Sequence, residues 1–218
     1  RMETRQEDYI AGILMITLGL IGFIASLLLL RLLRLSFSSS SSSFSSFSIL
    51  FCSRALSNCG TLFSFIVYSG PVTLLGFPFG PPIVGLKFGH LTTLTYKSVV
   101  YIQLAVAFNR FIATFFSMRY THICGKRGTF VLLGLVWFIT ALHCIPEFLD
   151  GCGYTYLYES LSWNFLDTPC SSLLGGPLLH YPSYTVFLGS ILLNLIIFSK
   201  LTWNTLVKMK DMGGQARF

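Results

Sequence analysis

Few residues of this 218-residue chain can do chemistry, and they stand as single polar side chains in apolar surroundings. Asn109-Arg110 closes a long apolar run that begins near His90, and Arg119-Tyr120 follows it. Lys97 sits inside the same run, with Tyr96 beside it and Tyr101 one helical turn further on. A cation at such depth costs on the order of 3 kcal/mol on insertion scales unless it finds water, a headgroup or a partner. Side chains of these types recognise charge and hydrogen-bonding groups. Bond-making chemistry has no support: there is no glycine-rich phosphate loop, no acid–histidine–nucleophile set and no cluster of metal ligands. His143 has only Cys144 as a sulfur neighbour, on another helix face, and reads as an interhelical hydrogen-bonding group. No cofactor, no metal and no enzymatic activity are expected.

The elements that must position these residues follow from composition. The chain is 53% hydrophobic, 16% aromatic and 11% charged, against about 25% charged in soluble domains. Its apolar residues come in blocks of the roughly 20 needed to cross a bilayer. An all-α polytopic membrane protein is expected, a single membrane domain with spans near 10–34, 49–75, 90–116, 129–146 and 182–203. The first run is too long for a cleaved signal peptide and is stopped by Arg31 and Arg34. Its glycines and Ser26 suit close helix packing, or are ordinary membrane composition. Pro71 marks a kink in the second span, which also carries Arg54 and Asn58. Residues 36–48 form a low-complexity Ser/Phe loop. Residues 76–89, rich in glycine and proline, read as a second loop.

Charge gives the orientation. Eleven of the fifteen basic residues fall on one side of the alternating spans, among them Arg54, Arg119, Lys126, Arg127 and Lys200. The 147–181 segment holds Glu147, Asp150, Glu159 and Asp167 and no Lys or Arg. Positive residues stay inside, so the N-terminus and this long loop are expected outside, the C-terminus and the serine tract inside. The net charge of +7 is spread over short loops and is not a nucleic-acid signal. Only Cys152 and Cys170 fall in an oxidising segment. They are either separate thiols or a bridge; the bridge is expected, and closing that loop stabilises by about 3 kcal/mol in the chain-entropy model.

Two readings stand for each cation. Arg110 is a snorkelling boundary residue, or it meets a partner at the inner face. Lys97 lies thirteen residues before Arg110, about 20 Å towards the outer surface at the rise of an α-helix. It snorkels to the outer headgroups, or it faces the bundle interior and lines a ligand cavity. In the second case Tyr96 and Tyr101 supply aromatic walls, Glu147 or Asp150 the counter-charge, and acidic or strongly hydrogen-bond-accepting ligands are favoured.

Four pieces, in order, resemble one family. They are Leu50-Phe51-Cys52-Ser53-Arg54-Ala55-Leu56-Ser57-Asn58, Phe108-Asn109-Arg110-Phe111-Ile112-Ala113 with Met118-Arg119-Tyr120, Ile145-Pro146-Glu147-Phe148-Leu149-Asp150-Gly151-Cys152, and Trp163-Asn164-Phe165-Leu166-Asp167-Thr168-Pro169-Cys170. Together they resemble the nematode serpentine chemoreceptors of class X (Srx), seven-helix G-protein-coupled receptors. The resemblance implies a plasma-membrane receptor, in chemosensory neuron cilia, that binds an external small-molecule cue and activates a heterotrimeric G protein; receptor oligomers are compatible with it. It implies coupling through Asn109, Arg110, Phe111, Arg119 and Tyr120, with Asn109 standing where many receptors carry an acid. Asn58 and Ser26 match polar core positions. Receptors of this kind tie the long outer loop to the third helix through a cysteine; none lies between Gly60 and Ile123, so Cys152 pairs with Cys170 instead. Seven spans are implied and five are read here, which leads to the expectation of a fragment that does not signal alone, a truncated receptor or pseudogene product. A small transporter and a non-signalling membrane protein that associates with receptors remain as other classes; no internal repeat supports the transporter.

Overall fold

Backbone crossing hydrocarbon must satisfy its own hydrogen bonds, and each of the five apolar runs does so as a helix in the computed structural model of the chain. The structure describes residues 2–39, 45–149, 151–170 and 181–215. Helix α1 spans Met2–Ser39, α2 Ser46–Ser64, α3 Gly70–Leu75, α4 Pro82–Phe115, α5 Ser117–Ile123, α6 Lys126–Cys144 and α7 Tyr181–Gln215. A π-helical turn, Phe65–Ser69, joins α2 to α3, and a 3-10 turn, Ile145–Phe148, continues α6. Strands β1 (Tyr154–Leu157) and β2 (Ser162–Phe165) pair antiparallel, with Tyr156 opposite Trp163. The long loop is therefore not featureless, and the otherwise all-α fold carries one hairpin.

Helix α4 is the axis of the molecule. It packs against α2, α6, α7 and β1, while α1 lies outside on α2 and α3. Its Tyr101, Ile102, Ala105 and Val106 are buried against Leu50 of α2 and Val136 of α6. The outer helices α1 and α7 leave most of their leucines and isoleucines exposed; lipid, not water, is the solvent those faces suit. On α1, a Cβ added at Gly12 would lie 2.7 Å from Leu74, and one at Gly19 2.9 Å from Ile66. Here small residues do serve close packing.

Several boundaries differ from the sequence reading. The third span begins at Pro82, not near His90, which shortens the loop at 76–89. Pro81 is the extended cap and Pro82 the first helical residue, a position that costs no backbone donor. Gly85 and Gly89 lie inside this helix because the hairpin presses on it. A Cβ at Gly85 would stand 2.5 Å from the Tyr68 hydroxyl, and one at Gly89 would overlap the Tyr154 carbonyl oxygen. Glycines that read as loop punctuation are contact points. Helix α1 reaches into the serine tract as far as Ser39, and α2 opens at Ser46, its cap Ser45 accepting from the Ser48 N–H. Residues 40–44 of that tract, Asp150 and residues 171–180 of the long loop lie outside the described residues. The Arg119 segment is helical too: α5 starts after a break at Phe116 (φ −128°, ψ 45°).

Candidate functional site

At the end of the bundle that carries the hairpin, α4, α7 and the two strands enclose a cavity of about 360 Å³. Thr92, Thr93, Tyr96, Lys97 and Val100 of α4 form one wall; Ser183, Tyr184 and Phe187 of α7 form another; Tyr154 and Phe165 close it from the hairpin. Strand alternation brings those two hairpin residues together, since Tyr154 and Phe165 are cross-strand partners. Their rings lie 4.8 Å apart, and Tyr154 stacks at 5.9 Å on Trp163. Burial, with the Glu147 carboxylate and Tyr96 close by, pushes the Tyr154 phenol up to about 12. It stays a neutral hydrogen-bonding group throughout the physiological range.

Lys97 is buried, so the snorkelling reading is set aside: its stem runs across the bundle and not to the surface. Its Nζ lies 3.3 Å from Glu147 Oε1, with side-chain exposures of 6% and 0%. It also donates to the His143 carbonyl at 3.4 Å. Glu147 reaches inward because Pro146 opens a 3-10 turn at the end of α6. His90 Nε2 holds the same turn by donating to the Glu147 carbonyl at 3.0 Å. Further down, the Tyr101 hydroxyl meets His143 Nδ1 at 2.7 Å. The interhelical role read for His143 is what the structure gives it. Lys97 spends two donors on α6 and its turn, leaving a third N–H for the cavity it lines.

Two of the residues read as pocket walls are placed elsewhere. Tyr101 lies below the cavity, turned towards α6 by its bond to His143. Glu147 stands behind Lys97 and does not touch the cavity. Thr92, Thr93, Val100, Tyr154, Phe165, Ser183, Tyr184 and Phe187 were not singled out from sequence. The long loop was read without a hairpin; period-two alternation of aromatics in 154–156 and 163–165 is the signal that could have found this wall.

At the opposite end, Asn109 is buried and Arg110 exposed, its guanidinium 5.3 Å from the Phe47 ring. Phe111 stacks on Phe115 at 4.7 Å. Arg119 is exposed and Tyr120 half-buried on α5. Ser26 and Asn58 are both half-buried, and Ser26 lies beside Cys59.

A bridge joins Cys152 to Cys170, with Cα atoms 5.3 Å apart. It closes the hairpin on itself and leaves helix α4 untouched. The expected result of a non-reducing digest is one linked peptide pair containing both residues; free thiols at both would overturn it. Among the described residues no group of His, Cys, Asp and Glu is arranged to hold a metal ion.

The fold is a helical bundle around a long central third span, with a hairpin over one half of that span and an exposed arginine at its far end. Squid rhodopsin shares it with a TM-score of 0.69 at 16% identity, over 98% of this chain and 56% of that one. Residues 16–217 match the family of serpentine type 7TM GPCR chemoreceptors, Srx, and the chain belongs to it. It is also similar to melatonin receptor type 1C of Xenopus laevis, 29% identical over 134 residues, 55% of this chain and 31% of that receptor. The chain thus spans about half of the rhodopsin and a third of the melatonin receptor. The family is one of membrane receptors, not enzymes.

Proposed function

We propose that the chain is a plasma-membrane chemosensory receptor whose hairpin end faces outward and takes up a small external ligand, and whose Arg110 end meets a heterotrimeric G protein. The cavity between α4, α7 and the hairpin carries this reading. It is of drug-pocket size, with five aromatic side chains among its ten lining residues and one cationic donor. Lys97 would receive an acidic or strongly hydrogen-bond-accepting head, and Tyr154, Phe165, Tyr184 and Phe187 an apolar body. The exposed guanidinium of Arg110, with Arg119 close in sequence, supports the coupling surface, and the one-sided charge supports the orientation.

The test compares three probes of one length, octanoate, octanol and octylamine, by thermal unfolding of the purified chain in lipid nanodiscs. Octanoate is expected to raise the midpoint most. A ligand at 100 times its Kd stabilises by about 2.7 kcal/mol. Val100→Trp, which fills the cavity, should remove the shift. Equal shifts from all three probes, or a larger one from octylamine, would sink the proposal.

A further inference from the structure

A second cavity at the hairpin end, of about 390 Å³, shares no lining residue with the Lys97 cavity. It lies between β1 with its turn, the 78–82 connection into α4, and Tyr68 of the π-helical turn. Tyr68, Tyr156 and Tyr158 give it ring surface. Tyr68 is 2% and Tyr156 4% exposed, so packing fixes two of the three rings. The hydroxyls of Tyr68 and Thr155 converge over Gly85, where a Cβ would stand 2.5 and 3.0 Å from them. Three of the lining residues are prolines, and none is lysine, arginine or histidine. Proline nitrogens carry no N–H, so this wall offers little to an anion.

The charge around the cavity is negative. Glu159 lines it and is exposed. Burial pushes the Tyr156 phenol up, its bond to Thr73 acts the other way, and the nearby Asp8 carboxylate adds to the rise. Lys87 follows Leu86 of the lining in sequence but is engaged elsewhere, its Nζ 5.8 Å from the centre of the Phe148 ring. Aromatic faces attract cations through the ring quadrupole, and quaternary ammonium groups are held in this way.

We infer that this cavity is a second ligand site and that it takes a small organic ammonium ion, as a free solute or as the choline head of a lipid. The tyrosine rings receive the N-methyl groups, Glu159 supplies the opposite charge, and the Tyr68 and Thr155 hydroxyls meet a polar tail. The two cavities of the hairpin end therefore have opposite preferences, one for an acid at Lys97 and one for a cation beside Glu159. The inference does not rest on the reading of the Lys97 cavity.

The experiment uses the whole chain in nanodiscs of choline-free phosphatidylglycerol, read by saturation-transfer NMR with empty discs as the blank. Choline and its uncharged isostere 3,3-dimethylbutan-1-ol are present together at equal concentration. The N-methyl signal of choline is expected to be saturated by the chain, and the methyl signal of the alcohol to stay at the blank. Tyr158→Ala should weaken choline binding about fivefold, the worth of one cation–π contact. Tyr158→Phe, which keeps the ring, should retain it. Glu159→Gln, at an exposed position, should weaken it about threefold. Val100→Trp, which fills the Lys97 cavity, should leave the choline signal in place. Phosphatidylcholine added to the discs will displace choline where a lipid head is the occupant and leave it where the occupant is a solute; either result supports the ammonium site and assigns its source. Equal saturation of the two compounds, full binding by both Tyr158→Ala and Glu159→Gln, or loss of the choline signal in Val100→Trp would each overturn the inference.

Discussion

Glu147→Leu is expected to destabilise the protein by about 3–5 kcal/mol, because it leaves the Lys97 ammonium buried without its carboxylate. Lys97→Met should cost a similar amount by stranding the carboxylate, which has an orphan Oε2 even in the intact pair. The double variant Lys97→Met/Glu147→Leu should recover most of the loss, since an apolar pair of similar size replaces two desolvated charges. Thermal unfolding of the four proteins in the same lipid closes the cycle. A double variant that loses the sum of the two single losses would show that the side chains act independently. The pair does more than hold itself. No cysteine on α4 is available to anchor the long loop, and this ion pair, the His90 bond and the hydrogen bonds of Tyr101 and Lys97 to His143 fasten the end of α6 to the central helix. A drop in stability with either single variant should carry a loss of ligand response with it, which is why the cavity test above uses Val100 and not Lys97.

The second large effect is expected at a residue with no side chain. Gly89→Ala places a methyl group where the Tyr154 carbonyl oxygen sits, and the clash is with backbone, which cannot rotate away. Either the hairpin lifts or α4 bends, and overpacking of this kind costs typically 1–3 kcal/mol, occasionally more. The cavity loses its roof in either case. Gly134→Ala is the control, because nothing lies within 4 Å of a Cβ there and alanine favours the helix by roughly 1 kcal/mol. Thermal unfolding and octanoate binding should both fall for the first and hold for the second. Normal binding by Gly89→Ala would mean that the hairpin does not rest on α4 as described.

Span number was legible because it depends on run length alone, and a run such as Ile10 to Leu30 admits one interpretation. What sequence misread were the places where a residue type has two physical uses. Gly85 and Gly89 signal flexibility in a loop and close approach in a packed helix, and composition does not tell these apart. Lys97 was legible as an anomaly, and its partner Glu147 was among the acids named, because a buried charge demands a counter-charge. The pair's geometry was not, since the 3-10 turn that aims Glu147 inward depends on where α6 ends. The α7 wall of the cavity left no trace at all: Ser183, Tyr184 and Phe187 are ordinary residues for a membrane helix until a neighbour is placed beside them. Asn109 was picked for its place beside Arg110, and its buried, unpaired oxygen came only with the packing.

The π-helical turn at Phe65–Ser69 works as a change of phase. It takes one residue more than an α-helical turn, and one residue is about 100° of rotation at 3.6 per turn. Below it, Ser53 and Ser57 are buried in the α2 stretch; above it, Val72 and Thr73 are buried, with the Thr73 hydroxyl 2.7 Å from that of Tyr156. The two halves of this span are therefore indexed to different neighbours, the lower to the helical core and the upper to the hairpin. An unbroken helix would satisfy one and turn its back on the other. Losing a single residue between Phe65 and Ser69 would leave the span helical and long enough to cross the membrane, yet would rotate Val72 and Thr73 out from under the roof of the cavity. In this part of the chain, length is interchangeable with angle, and a one-residue deletion reads as a twist.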